Sequence, residues 1–484
     1  MALPTLRVIG FILGIFLITL AASMVIPMLT LFAFERTDDL NAFLWSSLIT
    51  FIAGLSLVIR GRPQHMHLRP RDMYLLTTAS WLVVCAFAAL PLVLITHISY
   101  TDAVFETMSG ITTTGSTVLT GLDQMSPGIL IWRSMLHWLG GIGFIGMAVA
   151  ILPLLRVGGM RLFQTESSDW GQKVMPRSHM AAKYILYVYV LLTGLAFLAF
   201  WGAGMTPFEA INHAMSLIST GGFSTSDMSL TNWKQPAVHW VAVVVMILGS
   251  LPFTLYVATL RGHRRALIRD HQVRGLIGFL LLSWLLVGTW LWMNSDNAWL
   301  DALRIVAVNI TSVVSTTGVA LGDYSTWGGF AVLLFFYLTF IGGCSGSTAG
   351  GLKIFRFQVA FVLLKANLQQ LVHPRAVIKQ QYNNHNLDED IVRSLITFSF
   401  FFTITIGVIA MGLTLTGLDW VTAITGAATA VCNVGPGLGP IIGPVGNFAP
   451  LPDAAKWLLT IGMLLGRLEI LTVLVLFTPA FWKH

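Results

Sequence analysis

Four short polar segments of this 484-residue chain share one pattern, in which hydroxyl or amide side chains are followed closely by glycine. They recur at intervals of about a hundred residues, which predicts an internal repeat of four units. Glycine reaches positive φ without steric cost, so such segments can turn successive carbonyl groups to one side. Carbonyl oxygens in a ring can replace the hydration shell of an alkali cation. The segments are Thr113-Thr114-Gly115-Ser116, Ser219-Thr220-Gly221-Gly222, Thr316-Thr317-Gly318-Val319 and Asn433-Val434-Gly435-Pro436.

Twelve residues of these segments are predicted to form the ion site. In the first three units the glycine follows serine or threonine, whose hydroxyl can face an ion or brace the segment. The fourth unit has asparagine and valine, so the ring is not chemically fourfold and we expect weaker selectivity than in a symmetric channel. A plain turn is the alternative for any one glycine; four in register favour the ring. The predicted residues are Thr113, Thr114, Gly115, Ser219, Thr220, Gly221, Thr316, Thr317, Gly318, Asn433, Val434 and Gly435.

The composition predicts a membrane protein. Of the residues 55% are hydrophobic and only 10% are charged, whereas soluble domains have about 25% charged residues. Apolar runs of about 20 residues, enough to cross a bilayer, recur along the chain. The net charge of +7 does not indicate nucleic-acid binding, because the basic residues lie in the connections between spans.

The sequence contains no arrangement suited to catalysis. We find no paired carboxylates, no serine–histidine pair and no metal-ligand cluster whose spacing would suit catalysis. Cys85, Cys344 and Cys432 are too widely spaced to suggest a disulfide framework or a metal site. His137 and His213 lie in or near apolar segments and are interpreted as hydrogen-bonded core groups. We therefore predict that the protein is not an enzyme and binds no organic cofactor.

The predicted fold is an all-α polytopic membrane protein, with two extra N-terminal spans and then four pseudo-repeated units around one pore. Each unit has a span, a short amphipathic helix, the glycine segment and a second span. Re-entrant helices of this kind are tolerated where the backbone lines a cavity, and their C-terminal ends favour a cation. The predicted divisions are 1–68 for the helix pair and 69–178, 179–270, 271–385 and 386–484 for the units.

The apolar runs and the polar segments between them predict the following helices. The first pair is expected at Val8–Phe34 and Ala42–Ile59. The outer spans are expected at Met73–Ile95, Ala181–Trp201, Val273–Met293 and Ile391–Leu415. The short helices are expected at Asp102–Ile111, Pro207–Ile218, Leu300–Val314 and Trp420–Val431. The second spans are expected at Ile129–Leu155, Ala237–Leu260, Phe330–Leu364 and Lys456–Phe477.

Lysine and arginine predict the orientation. Four connections are rich in them, whereas the glycine-segment sides of the units are nearly bare. Positively charged connections stay in the cytoplasm, so the glycine segments are predicted to enter from outside. Ten spans then leave both termini cytoplasmic. The basic connections are Arg60–Asp72, Arg156–Lys183, Arg261–Arg274 and Lys353–Arg393.

A second glycine-rich stretch, Gly342–Lys353, interrupts the second span of unit three. Each glycine costs a helix about 1 kcal/mol relative to alanine, so irregular backbone is predicted here. Such backbone at membrane depth should line a cavity. A movable gate is the functional interpretation, and a static kink is the alternative. The predicted gate residues are Gly342, Gly343, Cys344, Ser345, Gly346, Ser347, Thr348, Ala349, Gly350, Gly351 and Lys353.

Charged residues in or near the spans are further candidates. Arg467 in the last span is interpreted as a residue of the pore, where it can repel cations, or it can pair with a carboxylate or with carbonyls of the glycine-rich stretch. Reaching to the membrane surface is the alternative. Eight acidic residues near the predicted outer mouth can concentrate cations, although each alone can equally be a solvated loop charge. They are Asp102, Glu106, Asp123, Glu209, Asp227, Asp301, Asp323 and Asp419.

Together these segments resemble the superfamily of Trk, Ktr and HKT potassium transporters, most closely its bacterial TrkH type. The resemblance covers essentially the whole chain, and the motifs are specific in combination. The extra helix pair at the start is also a TrkH-type feature. The carrying segments are Ser109-Gly110-Ile111-Thr112-Thr113-Thr114-Gly115-Ser116, Ile218-Ser219-Thr220-Gly221-Gly222-Phe223-Ser224, Gly342–Lys353, Asn433-Val434-Gly435-Pro436-Gly437-Leu438-Gly439 and Gly466-Arg467-Leu468-Glu469.

The resemblance implies potassium uptake across a bacterial inner membrane, with K+ as the transported ion. It implies that Gly342–Lys353 is an intramembrane gating loop with Arg467 beside it. It also implies a homodimer, and cytoplasmic TrkA-type subunits that bind nucleotides and control opening. Channel-like conduction and symport coupled to protons or sodium both remain open. The filter glycines implied by the resemblance are Gly115, Gly221, Gly318 and Gly435.

Overall fold

The computed structural model describes residues 3–62, 69–150, 178–376, 378–383 and 385–483. Within these ranges the chain is almost entirely helical, with two pairs of two-residue strands. Seven helices of the described residues are long and apolar enough to cross a membrane, and the number rises to nine if two bent helix pairs each count as one span. The N-terminal helices and the outer spans keep large apolar side chains exposed, among them Leu29, Leu195 and Leu286. The prediction of an all-α polytopic membrane protein is confirmed.

The first helices form the predicted N-terminal pair. Helix α1 meets α3 through glycines: a Cβ atom on Gly14 would lie 2.6 Å from the Gly54 carbonyl oxygen, and one on Gly54 would lie 2.8 Å from that of Gly14. Small residues of this kind let two membrane helices approach closely. The helices are α1 (Leu3–Ser23), α2 (Val25–Ala33) and α3 (Leu40–Gly61), with a 3-10 turn at Thr37–Asp39.

The remaining elements follow in the predicted order of span, short helix and second span. Unit one contains α4 (Pro70–Ala88), α5 (Leu90–Thr96), α6 (Tyr100–Ile111) and α7 (Pro127–Ala150). Unit two contains α8 (Ser178–Ala203), α9 (Pro207–Ile218), α10 (Pro236–Ser250), α11 (Phe253–Leu260) and α12 (Ala266–Arg269).

Unit three contains α13 (His271–Met293), α14 (Trp299–Val314), α15 (Gly329–Thr339), β1 (Ile341–Gly342), β2 (Leu352–Lys353) and α16 (Ile354–Val372). A hairpin of β3 (Gln381–Tyr382) and β4 (His385–Asn386) follows. Unit four contains α17 (Glu389–Leu415), α18 (Trp420–Cys432), α19 (Asp453–Arg467), α20 (Ile470–Leu474) and α21 (Pro479–Trp482). Further 3-10 turns lie at Leu122–Gln124, Ser229–Asn232, Tyr324–Thr326 and Val475–Phe477.

The short helices α6, α9, α14 and α18, called the pore helices below, lie in the core, and α6, α9 and α18 begin at side-chain caps. The Ser99 hydroxyl accepts from the Asp102 N–H at 3.1 Å, and an Asp419 carboxylate oxygen accepts from the Thr422 N–H at 3.0 Å. Helix α9 begins with a capping box between Thr206 and Glu209. The last nine residues of α6 are all buried, so the centre of the molecule is built from these helices rather than from the long spans.

Three second spans depart from simple helices. The predicted helix Ala237–Leu260 breaks after Ser250 with a bend of 91°, and Lys456–Phe477 breaks after Arg467 with a bend of 108°. Both predictions of a continuous span are wrong. Proline lacks the N–H that a helix interior needs, which accounts for the break at Pro252. The expected helix Phe330–Leu364 is interrupted between α15 and α16, as its glycine content predicts.

Two predicted segments extend beyond the described residues. The end of the second span of unit one, Ile129–Leu155, passes residue 150. The basic connection Arg156–Lys183 lies mostly outside the described ranges. Part of Arg60–Asp72, at 63–68, also lies outside them.

Candidate functional site

Each pore helix ends in the same backbone turn. In unit one the Thr113 N–H donates to the Gly110 carbonyl at 3.0 Å, and the Thr114 N–H donates to the Ser109 carbonyl at 2.8 Å. The other three units repeat both bonds at equivalent residues. The turn places one residue at positive φ and a glycine at positive φ two residues later. The pairs are Thr113 (52°) and Gly115 (88°), Thr220 (52°) and Gly222 (92°), Thr316 (57°) and Gly318 (81°), and Asn433 (54°) and Gly435 (115°).

This geometry corrects the predicted register of unit two. Gly222, rather than Gly221, has the positive φ of Gly115. Gly221 takes the position of Thr114, because its N–H donates to the carbonyl of Ser216 at 2.8 Å. Because Gly221 and Gly222 are consecutive, the sequence alone does not show which of them takes the position of Gly115. The threonine or asparagine that lies two residues before the glycine in every unit is the signal that identifies the register.

The four loops, 113–116, 219–222, 316–319 and 433–436, close into one ring and are called the glycine loops below. A Cβ atom on Gly115 would collide with the Gly221 carbonyl oxygen in the next loop. The same relation holds from each loop to the one that follows, and the fourth returns to the first. The predicted quartet therefore surrounds a common axis. The remaining contacts are Gly222 with the Thr317 oxygen, Gly318 with the Val434 oxygen and Gly435 with the Thr114 oxygen.

The side chains of the ring alternate in chemistry. In unit one the hydroxyls of Thr112 and Thr114 lie 2.7 Å apart, and in unit three those of Ser315 and Thr317 lie 2.7 Å apart. At the position of Thr114, units two and four carry glycine and valine, which have no hydroxyl. The ring is therefore not chemically fourfold, as expected. It has a twofold pattern, with hydroxyl pairs in the first and third units.

Asn433 in unit four links the ring to its surroundings. Its side-chain amide donates to the Thr114 hydroxyl at 3.0 Å and to the Met463 carbonyl at 2.9 Å. The Ser116 hydroxyl donates to the Gly435 carbonyl at 2.8 Å. The first and fourth loops, which are distant in sequence, are therefore joined by side-chain bonds as well as by backbone packing.

The electrostatics of the ring favour cations. No residue in the four glycine loops carries a charge. The pore helices end at the loops, and the C-terminal end of a helix carries partial negative charge. Backbone carbonyls and hydroxyls are thus the available ligands, and they are hard oxygen donors suited to alkali cations.

The stretch Gly342–Lys353, called the glycine tract below, packs against three of the glycine loops. The Thr348 hydroxyl lies 3.2 Å from that of Thr220, and the Gly350 N–H donates to the Thr316 hydroxyl at 2.7 Å. A Cβ atom on Gly350 would lie 2.5 Å from the Cys432 carbonyl oxygen. The predicted gate residues are thus brought next to the predicted ion site, in contact with units two, three and four.

Arg467 binds the glycine tract. Its side chain is 1% exposed, and its guanidinium donates to the Thr348 carbonyl at 2.8 Å. The guanidinium also lies 4.0 Å from the centroid of the Phe144 ring. The Lys353 ammonium lies 5.3 Å from the same ring and donates to the Ala349 carbonyl. Of the sequence-based alternatives, pairing with the tract carbonyls is the one observed, and extension to the membrane surface is excluded.

Comparison with known proteins identifies the family. The TrkH family model, described as a cation transport protein, matches residues 40–484. The chain belongs to the TrkH family. This confirms the resemblance drawn from the motifs. Because the family is one of transport, it also agrees with the prediction that the protein is not an enzyme.

Relatives match the chain along nearly its whole length. The "Trk system potassium uptake protein TrkI" of Halomonas elongata is 52% identical over 98% of this chain and 96% of that protein. The TrkH protein of Escherichia coli is 35% identical over 99% of each chain. The crystal structure of the potassium transporter TrkH from Vibrio parahaemolyticus superimposes with a TM-score of 0.91 at 34% identity, and covers 99% of this chain and 100% of that one.

Most of the acidic residues predicted at the mouth of this TrkH-family protein form ion pairs or hydrogen bonds with other residues of the chain. Glu106 is fully buried and pairs with Arg133 at 2.8 Å, so its assignment to the mouth is wrong. Asp102 pairs with Lys456 at 2.5 Å, and Asp227 accepts from the Gly121 N–H at 2.8 Å. Asp301 pairs with the neighbouring Arg304. The other three take part in helix caps, and they are Asp323, Glu209 and Asp419.

The predicted roles of the two histidines are borne out by their contacts. His137 lies between units one and two: its Nδ1 donates to the Gly110 carbonyl at 2.7 Å, and its Nε2 accepts from the Phe223 N–H at 3.2 Å. Both ring nitrogens of His213 also have hydrogen-bond partners, the Glu209 carbonyl at 2.8 Å and the Ser224 hydroxyl at 3.1 Å. A Cβ atom on Gly221 would collide with the His137 ring. Sequence reasoning missed the roles of Arg133 and Phe144, because their partners are distant in sequence.

Proposed function

We propose that this chain carries potassium ions into the cell through a channel-like pathway on the axis of the four glycine loops. One observation carries the proposal: the closed ring in which each glycine faces a carbonyl oxygen of the next loop. Carbonyl oxygens held in this way substitute for the hydration shell of the ion. Relatives named as Trk system potassium uptake proteins support potassium as the transported ion.

In this proposal the glycine loops form the selectivity filter. Its residues are the twelve predicted from the sequence together with Gly222, which has the backbone conformation of the other three ring glycines. The twofold pattern of hydroxyls supports a weaker preference for potassium over sodium than a fourfold ring would have. The driving force is the negative interior of the cell, worth about 2.3 kcal/mol per charge per 100 mV.

The glycine tract, with Arg467, is proposed as the gate. Its contacts with Thr220 and Thr316 support a position next to the filter. The buried charge of Arg467, held against the Thr348 carbonyl, supports a barrier to cations while the tract is in place, because a fixed positive charge beside a pore repels them. Withdrawal of the tract would remove the obstruction and release the Arg467 guanidinium from the Thr348 carbonyl.

The proposed setting is the inner membrane of a bacterium, with both termini in the cytoplasm. The division into a helix pair at 1–68 and units at 69–178, 179–270, 271–385 and 386–484 goes with this topology. A homodimer and cytoplasmic TrkA-type subunits, which bind nucleotides, complete the proposed assembly. The basic connections, such as Arg156–Lys183, Lys353–Arg393 and Arg261–Arg274, offer the positive charge that such a subunit would contact.

Tracer uptake tests the proposal. Liposomes that contain the purified protein should accumulate rubidium when the interior is made negative by an ionophore that does not carry rubidium, and potassium should compete more strongly than sodium. Equal competition by the two ions would refute the filter. Uptake that follows the proton gradient at fixed voltage would instead favour proton-coupled symport.

A further inference from the structure

The pore helices carry buried polar side chains at one equivalent position. Glu106, His213 and Asn309 each lie nine residues before the ring glycine of their unit. All three are completely buried. In unit four that position is Gly426, and the residue before it, Thr425, is polar and 5% exposed. A buried polar side chain normally has a bonding partner, and in every unit the partner lies just after the ring glycine.

Unit three gives the clearest case. The Asn309 side-chain oxygen accepts from the Leu321 N–H at 2.9 Å, and its NH2 group donates to the Leu321 carbonyl at 2.9 Å. The two bonds fix which end of the amide is oxygen, because each backbone group has only one role. Leu321 lies three residues after Gly318, so Asn309 holds both polar groups of the chain as it leaves the ring.

Unit one uses a carboxylate for the same purpose. Glu106 accepts from the Val118 N–H at 2.8 Å and from the Thr117 hydroxyl at 2.9 Å. Its charge is balanced by Arg133. Arg133 also donates to the Ser224 carbonyl at 3.1 Å, which lies just after the ring glycine of unit two. The pair therefore ties the first and second units together.

Units two and four complete the set. The Nδ1 atom of His213 lies 2.8 Å from the Glu209 carbonyl, which can only accept, so Nε2 accepts from the Ser224 hydroxyl at 3.1 Å. In unit four the Thr425 hydroxyl accepts from the Leu438 N–H at 3.1 Å. Four different chemical groups thus perform one geometric task.

We propose that Glu106, His213, Asn309 and Thr425 are positioning residues, which set ion selectivity by fixing the chain immediately after each ring glycine. The inference rests on the proposed function of the ring as a filter. Each anchored group lies only two or three residues after its glycine, so a shift of the anchor reaches the carbonyl ring with little attenuation. The Leu321 N–H is buried, so loss of its bond costs free energy and favours a movement of the chain that satisfies it.

Asn309 offers a sharp test. Asn309→Leu keeps the size of the side chain and removes both bonds, whereas Asn309→Asp keeps the acceptor for the Leu321 N–H and loses the donor. Thr311→Val is the matched control, because its hydroxyl, on the same helix and also buried, has no hydrogen-bond partner in the described part of the chain. The readout is the ratio of sodium to potassium needed to halve rubidium uptake into liposomes, at equal amounts of folded protein.

We expect Asn309→Leu to make sodium at least tenfold more competitive, Asn309→Asp to have a smaller effect, and Thr311→Val to leave the ratio unchanged. A purely structural role would lower the yield of folded protein without changing the ratio, and that result would overturn the proposal. If Asn309→Leu does not fold, Asn309→Asp and Glu106→Gln decide, and unchanged ratios in both would overturn it. Gly318→Ala separates the two hypotheses: no effect of that variant refutes the filter itself, whereas an effect there with none at Asn309 refutes only the positioning role.

Discussion

Two glycines of unit three form a matched pair that separates backbone strain from damage to the carbonyl ring. Gly318 and Gly322 have nearly the same positive φ, 81° and 77°. A Cβ atom on Gly322 would meet nothing within 4 Å, whereas one on Gly318 would collide with the Val434 carbonyl oxygen. Alanine at either position thus adds the same local strain, and only alanine at 318 disturbs the ring.

The magnitudes follow from these contacts. Left-handed backbone costs a residue with a side chain roughly 1–2 kcal/mol, which both variants should lose in stability. Overpacking adds about 1–3 kcal/mol, and at Gly318 this acts on the Val434 carbonyl. If that energy appears as lost stabilisation of bound potassium, selectivity against sodium falls roughly 5- to 150-fold.

Rubidium uptake into liposomes with sodium or potassium as competitor measures this difference. Gly318→Ala should lose discrimination between the two ions, and Gly318→Ser and Gly115→Ser should behave alike. Gly322→Ala should unfold at a lower temperature with unchanged discrimination. The reasoning is refuted if both alanine variants lose stability equally and both keep the selectivity of the unaltered protein.

Three further predictions concern the tract, the partner and a partly buried carboxyl group. Deleting part of Gly342–Lys353 should raise rubidium flux, because the proposed obstruction is lost; a folded variant with reduced or equal flux would reject a gate. Neutralising Arg261, Arg264 and Arg265 should weaken binding of a TrkA-type subunit in pull-down assays, and unchanged binding would exclude docking there. Burial raises the pKa of Asp270 at the start of α13, so its contribution to stability is fully present at acid pH and is lost as the pH rises through the folded-state value. Asp270→Asn should therefore raise the melting temperature near pH 7, and the gain should vanish towards pH 4; a gain that does not vary with pH would contradict this.

The sequence predicts elements well where one local property decides them. The apolar run predicts a span at Val273–Met293, and helix α13 is observed at His271–Met293. The two agree because the length and hydrophobicity of this run alone favour a membrane-spanning helix. The pore helix α9 begins at Pro207, where a capping box and a proline mark the first turn. The irregular backbone of the glycine tract follows from its glycine content.

Prediction fails where tertiary contacts decide. The consecutive pair Gly221 and Gly222 fits two registers, and only packing against His137 and Thr317 distinguishes them. Glu106 is expected near the mouth together with the other acidic residues, yet it is buried and pairs with Arg133, 27 residues away. The sequence around Gly221, Gly222 and Glu106 gives no indication of these distant partners.

The unexpected breaks in the second spans of units two and four both lie against the glycine tract. Where α10 ends, the Ser250 carbonyl accepts from the Cys344 N–H at 2.9 Å, and the Phe253 N–H beyond the break donates to the Gly346 carbonyl at 3.0 Å. Where α19 ends, Arg467 donates to Thr348. A continuous helix would satisfy the backbone groups of unit two internally and leave those of the tract unpaired at membrane depth, which costs several kcal/mol per group. The tract and the broken spans therefore form one structural unit, and any movement of the tract must exchange these bonds for others.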